Sequence, residues 1–157
     1  MAAALVTGTG AARASAAHTI FMTAIEVKGT TSTERLAPPP VDPANLSKGY
    51  GFKPPGEADA RAPQRWEVWS YLFSPSFVTV QQGDTVTLVV FVVNGDQHEV
   101  GLQAPDGSIV APRKTLERGH EYRLAFTAKL AGTYHFSCAI HAPTMAASIL
   151  VLPREPR

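Results

Sequence analysis

From Trp66 onward, apolar residues either alternate with polar ones or run together in short blocks, and turns rich in Gly and Pro separate the blocks. A period of two sends successive side chains to opposite faces of a strand. Trp66–Phe73 (WEVWSYLF) and Phe77–Gln81 (FVTVQ) read as strands broken at Pro75. Thr85–Val93 (TVTLVVFVV) is apolar on both faces and predicts a central, covered strand. In His98–Gln103 (HEVGLQ), His98, Val100 and Leu102 share one face, and Glu99, Gly101 and Gln103 share the other. Glu121–Ala128 alternates as well, setting Tyr122, Leu124 and Phe126 against Arg123 and Thr127. Thr133–Cys138 and Ala147–Leu152 complete the series. The turns are Gln82-Gly83-Asp84, Asn94-Gly95-Asp96 and Pro105-Asp106-Gly107. No stretch of about ten residues carries a helical period. The expected fold is therefore all-β, an antiparallel sandwich.

The chain before Trp66 is different. His18–Val27 (HTIFMTAIEV) has the β-branched and apolar content of a strand. Lys28–Arg65 carries Pro38, Pro39, Pro40, Pro43, Pro54, Pro55 and Pro63, a density that forbids helix interiors and central strands. It predicts an extended arm, with Leu46, Tyr50 and Phe52 as apolar anchors on the domain surface; a plain tether is the alternative. The strand before it is expected to pair at an edge of the sandwich. Met1–Ala17 is Ala-rich and ends in Ala14-Ser15-Ala16, resembling the tail of a secretory signal without its positive beginning. The expected organisation is a signal remnant or disordered tail at 1–17, strand and arm at 18–65, the folded domain at 66–153, and a short tail at 154–157.

Composition narrows the function. With 45% hydrophobic and 17% charged residues the chain matches a globular domain. A formal net charge of +1, with both signs interspersed, provides no basic stripe for nucleic acid. No run approaches the roughly 18 apolar residues of a membrane span. The single cysteine, Cys138, excludes an internal disulfide and any cluster that needs several thiolates.

The chemistry concentrates in Gly132–Met145 (GTYHFSCAIHAPTM). Strand parity puts Tyr134, Phe136 and Cys138 on one face, and the two aromatics mark that face as core. Pro143 forces the chain to turn after the thiol, and His141 and Met145 follow in the pattern Cys-x2-His-x3-Met. His98 opens another strand on its core-facing side. Taken singly, Cys138 reads as a small buried hydrophobe, His98 as a hydrogen-bonded core histidine and Met145 as core filling. Together, a thiolate, two imidazoles and a thioether are the donor set that suits copper in both of its common oxidation states. Methionine is a poor zinc ligand, and structural zinc usually has paired strong ligands, so Met145 favours copper. His18, His120 and His135 lack such a context and read as surface residues.

On these residues the stretch from about Trp66 to Leu152 resembles the cupredoxin family, with Gln82-Gly83-Asp84-Thr85-Val86 like the turn and strand that open such domains. The resemblance implies a Greek-key sandwich holding one copper ion at its end through His98, Cys138, His141 and axial Met145. Plastocyanin, pseudoazurin and amicyanin share the Cys-x2-His start of the loop. The copper domain of cytochrome oxidase subunit II and nitrous oxide reductase is similar around Asp96–Gly107, but its dinuclear site needs two loop cysteines. Nitrosocyanin is similar in layout, including an N-terminal strand; the departures at His98 and Met145 move the expectation from a red, catalytic centre to a blue or purple electron carrier. The implied function is single-electron transfer in the periplasm between redox proteins, such as a cytochrome or a copper oxidoreductase, with electrons leaving through the edge of His141. No oligomeric state is implied. The alternatives are a nitrosocyanin-like copper enzyme or small-molecule site, a copper carrier to an oxidase, and a metal-free sandwich.

Overall fold

The structure, a computed structural model, describes residues 14–32 and 65–154. Among them nine strands form: β1 Ala17–Ser32, β2 Arg65–Ser74, β3 Phe77–Gln81, β4 Thr85–Val92, β5 Gln97–Gln103, β6 Ile109–Glu117, β7 Glu121–Thr127, β8 Gly132–Cys138 and β9 Ala146–Leu152. They build a four-stranded sheet in the order β2-β1-β4-β7 and a five-stranded sheet in the order β3-β9-β8-β5-β6. No helix occurs among the described residues. The all-β sandwich expected from alternation is present.

The alternation also names the core. Val86, Leu88, Val90 and Val92 on β4 face Leu102 on β5, Tyr134 and Phe136 on β8, and Ile149 and Val151 on β9 within one buried cluster. Burying side chains of this size stabilises by about 1.5–3 kcal/mol each relative to exposure. Phe91 and Val93 depart from the reading of a strand covered on both faces: they are 43% and 42% exposed, and Val93 lies beyond the end of β4.

Three expectations need correction. First, the sheets are mixed rather than antiparallel, because β1 runs parallel to β4 and β3 runs parallel to β9. Second, the N-terminal strand does not sit at an edge. It is longer than His18–Val27 and lies between β2 and β4, with Thr23↔Ser74 to Ser32↔Arg65 on one side and Ala17↔Thr85 to Ala24↔Val92 on the other. The 16 residues of β1 contain no proline, so every N–H is available to a ladder on either side. Met22 and Ala24 project into the core. The Ser32↔Arg65 pairing makes the proline-rich segment the connection of a long hairpin. That segment, residues 33–64, lies outside the described residues, as does most of the Ala-rich N-terminus.

Third, β6 forms where no strand was read, because Pro112, Arg113 and Lys114 interrupt the apolar pattern. Its position explains the tolerance: β6 is the outer strand of its sheet, where a missing N–H faces no partner. Its register with β5 jumps from Val100↔Lys114 to Leu102↔Ala111, two residues of β5 against three of β6. The extra residue falls at Pro112–Arg113, a bulge that removes the proline from the ladder.

Candidate metal centre

Strand parity delivers the thiol. Tyr134, Phe136 and Cys138 are 1%, 1% and 0% exposed, whereas His135 between them is exposed. β5 and β8 are antiparallel neighbours with Val100 opposite Cys138, so His98 near the start of β5 reaches the end of β8. His98 is fully buried. The loop after Cys138 closes on itself: the Cys138 N–H donates to the Met145 carbonyl at 2.9 Å, the Met145 N–H donates to the His141 carbonyl at 3.1 Å, and the Ala139 N–H donates to Glu99 at 2.8 Å. These bonds carry His141 back over the thiol. Met145 is buried with 0% exposure, its main chain bonded at both ends of the loop.

His98, Cys138 and His141 therefore meet. The two Nδ1 atoms are 3.1 Å apart, and Cys138 Sγ lies 3.5 Å from His141 Nδ1 and 4.0 Å from His98 Nδ1. One ligand atom from each lies within 4.8 Å of the others. His98 Nε2 is 3.3 Å from the carbonyl of Asn94, which can only accept, so that nitrogen carries the ring proton. Its Nδ1 is then a lone pair aimed at a second imidazole nitrogen and a sulfur. Three electron-rich atoms at this spacing repel unless a proton or a cation lies among them, and a single ion with bonds of about 2.0–2.3 Å bridges such gaps. The donors present thus fit a metal ion. Burial lowers the tendency of His98 to protonate, partly offset by the Asn94 hydrogen bond and the charge of Glu26. A neutral imidazole is the form that ligates.

Residues that the sequence reading did not select surround this triad. Tyr71 on β2 stacks on His141, with ring centroids 3.6 Å apart and planes 9° apart, and meets His98 edge-on at 6.0 Å. Its hydroxyl donates to Glu26 on β1 at 3.1 Å. Asn94 clamps Glu26 by accepting its N–H at 2.7 Å and donating to its carbonyl at 2.9 Å. Gly95 has φ of +79°, and a Cβ there would sit 3.2 Å from His98 Nε2 and 3.3 Å from Tyr71. Only glycine lets the turn pass both rings without strain. The parity shared by Tyr71 and Phe73 was a sign that Tyr71 faces inward; nothing local announced its contact with His141.

The remaining histidines lie apart from the triad. His120 and His135 are exposed, as read from the sequence. His18 is not a plain surface residue: it is half-buried, with Nε2 2.7 Å from the carboxylate of buried Asp84. Its partner comes from the β3–β4 turn, 66 positions away in the chain.

Comparison with known proteins bears on the family and the fold. The family model for the cupredoxin-like domain matches residues 50–151, well over half the chain. No curated protein matches in sequence. Among solved structures, the multicopper oxidase mgLAC superposes with a TM-score of 0.56 at 18% identity, covering 90% of this chain and 40% of its own. A blue copper oxidase from Nitrosomonas europaea gives 0.55 at 16% identity, again covering 90% and 40%. A copper nitrite reductase from the same organism gives 0.51 at 16% identity, covering 90% and 45%. The chain thus spans less than half the length of these structures, and the likeness is one of fold. Among the described residues no helix is long and apolar enough to cross a membrane.

Proposed function

This chain belongs to the cupredoxin family, and from that premise we propose that it holds one copper ion through His98, Cys138, His141 and axial Met145 and carries single electrons. The observation behind this reading is the convergence of two Nδ1 atoms and one Sγ within 3.1–4.0 Å of one another. The donors are one soft sulfur and two borderline nitrogens, the set that copper prefers over harder ions. Met145, buried at the end of the ligand loop, supplies the fourth, weak donor in this reading.

Bound there, copper supplies a one-electron couple. The chain does the rest. Cys138 would hold the ion as the thiolate, the ligand form of cysteine. The hydrogen bond to Asn94 holds the His98 ring in its ligating tautomer. The backbone bonds across the loop hold His141 near the thiol in one geometry, which keeps reorganisation between redox states small. Ile140 is 50% exposed beside Ala142 and Pro143, also exposed, so the rim of the site is a small apolar surface suited to brief docking. The partners in this reading are redox proteins such as a cytochrome or a copper oxidoreductase. The Ala-rich N-terminus favours export, and the proposed location is the periplasm.

The test is addition of copper to the metal-free protein, followed by absorption and electron paramagnetic resonance. A strong charge-transfer band in the visible range at one equivalent is expected, with reversible one-electron reduction. A colourless product with copper held only at low affinity would overturn the proposal.

A further inference from the structure

Among the described residues, Tyr71 lies directly against the metal centre without offering it a donor atom in the proposed ligand set. Its ring lies flat on His141, with centroids 3.6 Å apart and planes 9° apart. Among the described residues His98 also lies near His141, standing at 66° with centroids 5.0 Å apart. Tyr71 is itself 6% exposed and fixed from behind. Glu26 is its cross-strand neighbour in the β1–β2 register and accepts its hydroxyl proton at 3.1 Å. Glu26 is held in turn by the two Asn94 hydrogen bonds and by Lys28 at 3.6 Å.

We infer that Tyr71, braced by Glu26, is a positioning residue for the metal centre: it sets the plane of His141 and weights bound copper toward its oxidised state. This rests on the copper reading above. The physical argument has two parts. A loop imidazole stacked on a fixed phenol loses rotational freedom, so the ring is presented in one orientation before any metal arrives. The face of an aromatic ring is also the negative end of its quadrupole. An imidazole bound to the doubly charged ion carries more positive charge than one bound to the singly charged ion, so the stack favours the oxidised form. A carboxylate accepting from the phenol hydroxyl increases electron density in the phenol ring and strengthens that bias, the more so in a buried setting. Glu26 lies outside the part of the chain that matches the family model, which begins at residue 50. The N-terminal strand thus contributes to the site as well as to the sheet.

The test compares full-length wild type with Tyr71→Phe, Tyr71→Leu and Glu26→Gln. Two measurements are made: the reduction potential of the copper-loaded proteins, and the His141 ring proton shifts of the metal-free proteins by NMR. Tyr71→Leu is expected to shift the balance toward the reduced ion by about two- to tenfold, the size of an aromatic pair interaction. The tenfold limit corresponds to a rise of about 59 mV for a one-electron couple. Tyr71→Phe keeps the stack and Glu26→Gln keeps the ring, so both are expected to shift the potential in the same direction by less. In the metal-free protein, Tyr71→Leu is expected to remove the ring-current shift of His141, and Tyr71→Phe to restore it. A residue that only filled core volume would leave the potential of Tyr71→Phe and Glu26→Gln at the wild-type value, and that result overturns the bias. Unchanged His141 signals in Tyr71→Leu overturn the positioning. Absence of a thiolate–copper band in wild type would strike the copper reading alone, since the metal-free measurement still decides whether Tyr71 orients His141.

Discussion

The two ends of β4 each bring a histidine to a buried polar group, and they use it in opposite ways. Eight residues of strand, about 26 Å at 3.3 Å per residue, separate them. Before β4, Asp84 is 2% exposed, and both its oxygens are taken. One accepts from the Ala16 N–H at 2.9 Å and from Arg154 at 2.7 Å; the other accepts from the Gln81 N–H at 3.0 Å and meets His18 at 2.7 Å. Beyond β4, His98 is just as buried, but its Nδ1 faces another imidazole nitrogen and a sulfur. The first end is an acceptor surrounded by donors, a structural clasp complete in itself. The second is a set of potential ligand atoms converging on a point. Two imidazole nitrogens and a sulfur at this spacing could hold a metal ion, and burial alone would not have told the two ends apart.

The sharpest way to break the comparison is to remove the thiol. Cys138→Ser is expected to abolish the coloured copper site, because a hydroxyl cannot supply a soft thiolate. Thermal unfolding of the metal-free variant should stay close to wild type, since serine nearly matches the volume. A surviving charge-transfer band would show that Cys138 is not the ligand. The corresponding change at the other end is Asp84→Ala. It strands the donors of Arg154, Ala16 and Gln81, and a loss of about 2–3 kcal/mol in urea unfolding is expected. The copper band of the folded protein should be unaffected, 26 Å being about the length of the intervening strand.

Acid titration sharpens the same contrast at smaller cost. Burial by itself would push the Asp84 carboxyl up. Hydrogen bonds from the Ala16 N–H, His18 and the Gln81 N–H outweigh it and hold the group far below the usual carboxylate range. A carboxylate whose folded value is depressed stabilises the fold at pH above its unfolded value of about 3.9 and loses that contribution as pH falls toward the folded value. Stability should therefore decline as pH falls below about 4, and Asp84→Asn should flatten that limb. An identical acid limb in the variant would move the effect to other carboxylates.

Met145→Leu is expected to make the smallest change. Leucine conserves volume at a fully buried position, so stability should move by less than about 1.5 kcal/mol. In the proposed site copper stays bound and the reduction potential rises, because losing the weak axial sulfur favours the reduced ion. If the variant loses copper as completely as Cys138→Ser does, Met145 is a principal ligand rather than an axial one. Equilibrium dialysis together with voltammetry separates the two outcomes.

What the sequence determined by itself was whatever depends on neighbours along the chain. Alternation placed Tyr134, Phe136 and Cys138 on the inner face and His135 on the outer one, and the structure agrees. It also put His98, Val100 and Leu102 together on the buried face of β5. The spacing Cys-x2-His returned His141 to the thiol because Pro143 forbids the strand to continue. Tertiary structure decided whatever depends on which strands lie side by side. It placed β1 inside the sheet and parallel to β4, and let β6 form around Pro112 because an outer strand with a bulge tolerates a missing donor. It brought Tyr71 and Glu26 to the centre, and closed Asp84 with partners 66 to 70 positions away. The physical reason is that a period of two specifies which face a side chain takes but not which strand it faces. Partner choice is settled by long-range contacts among backbone donors and buried side chains, and those exist only once both sheets have assembled.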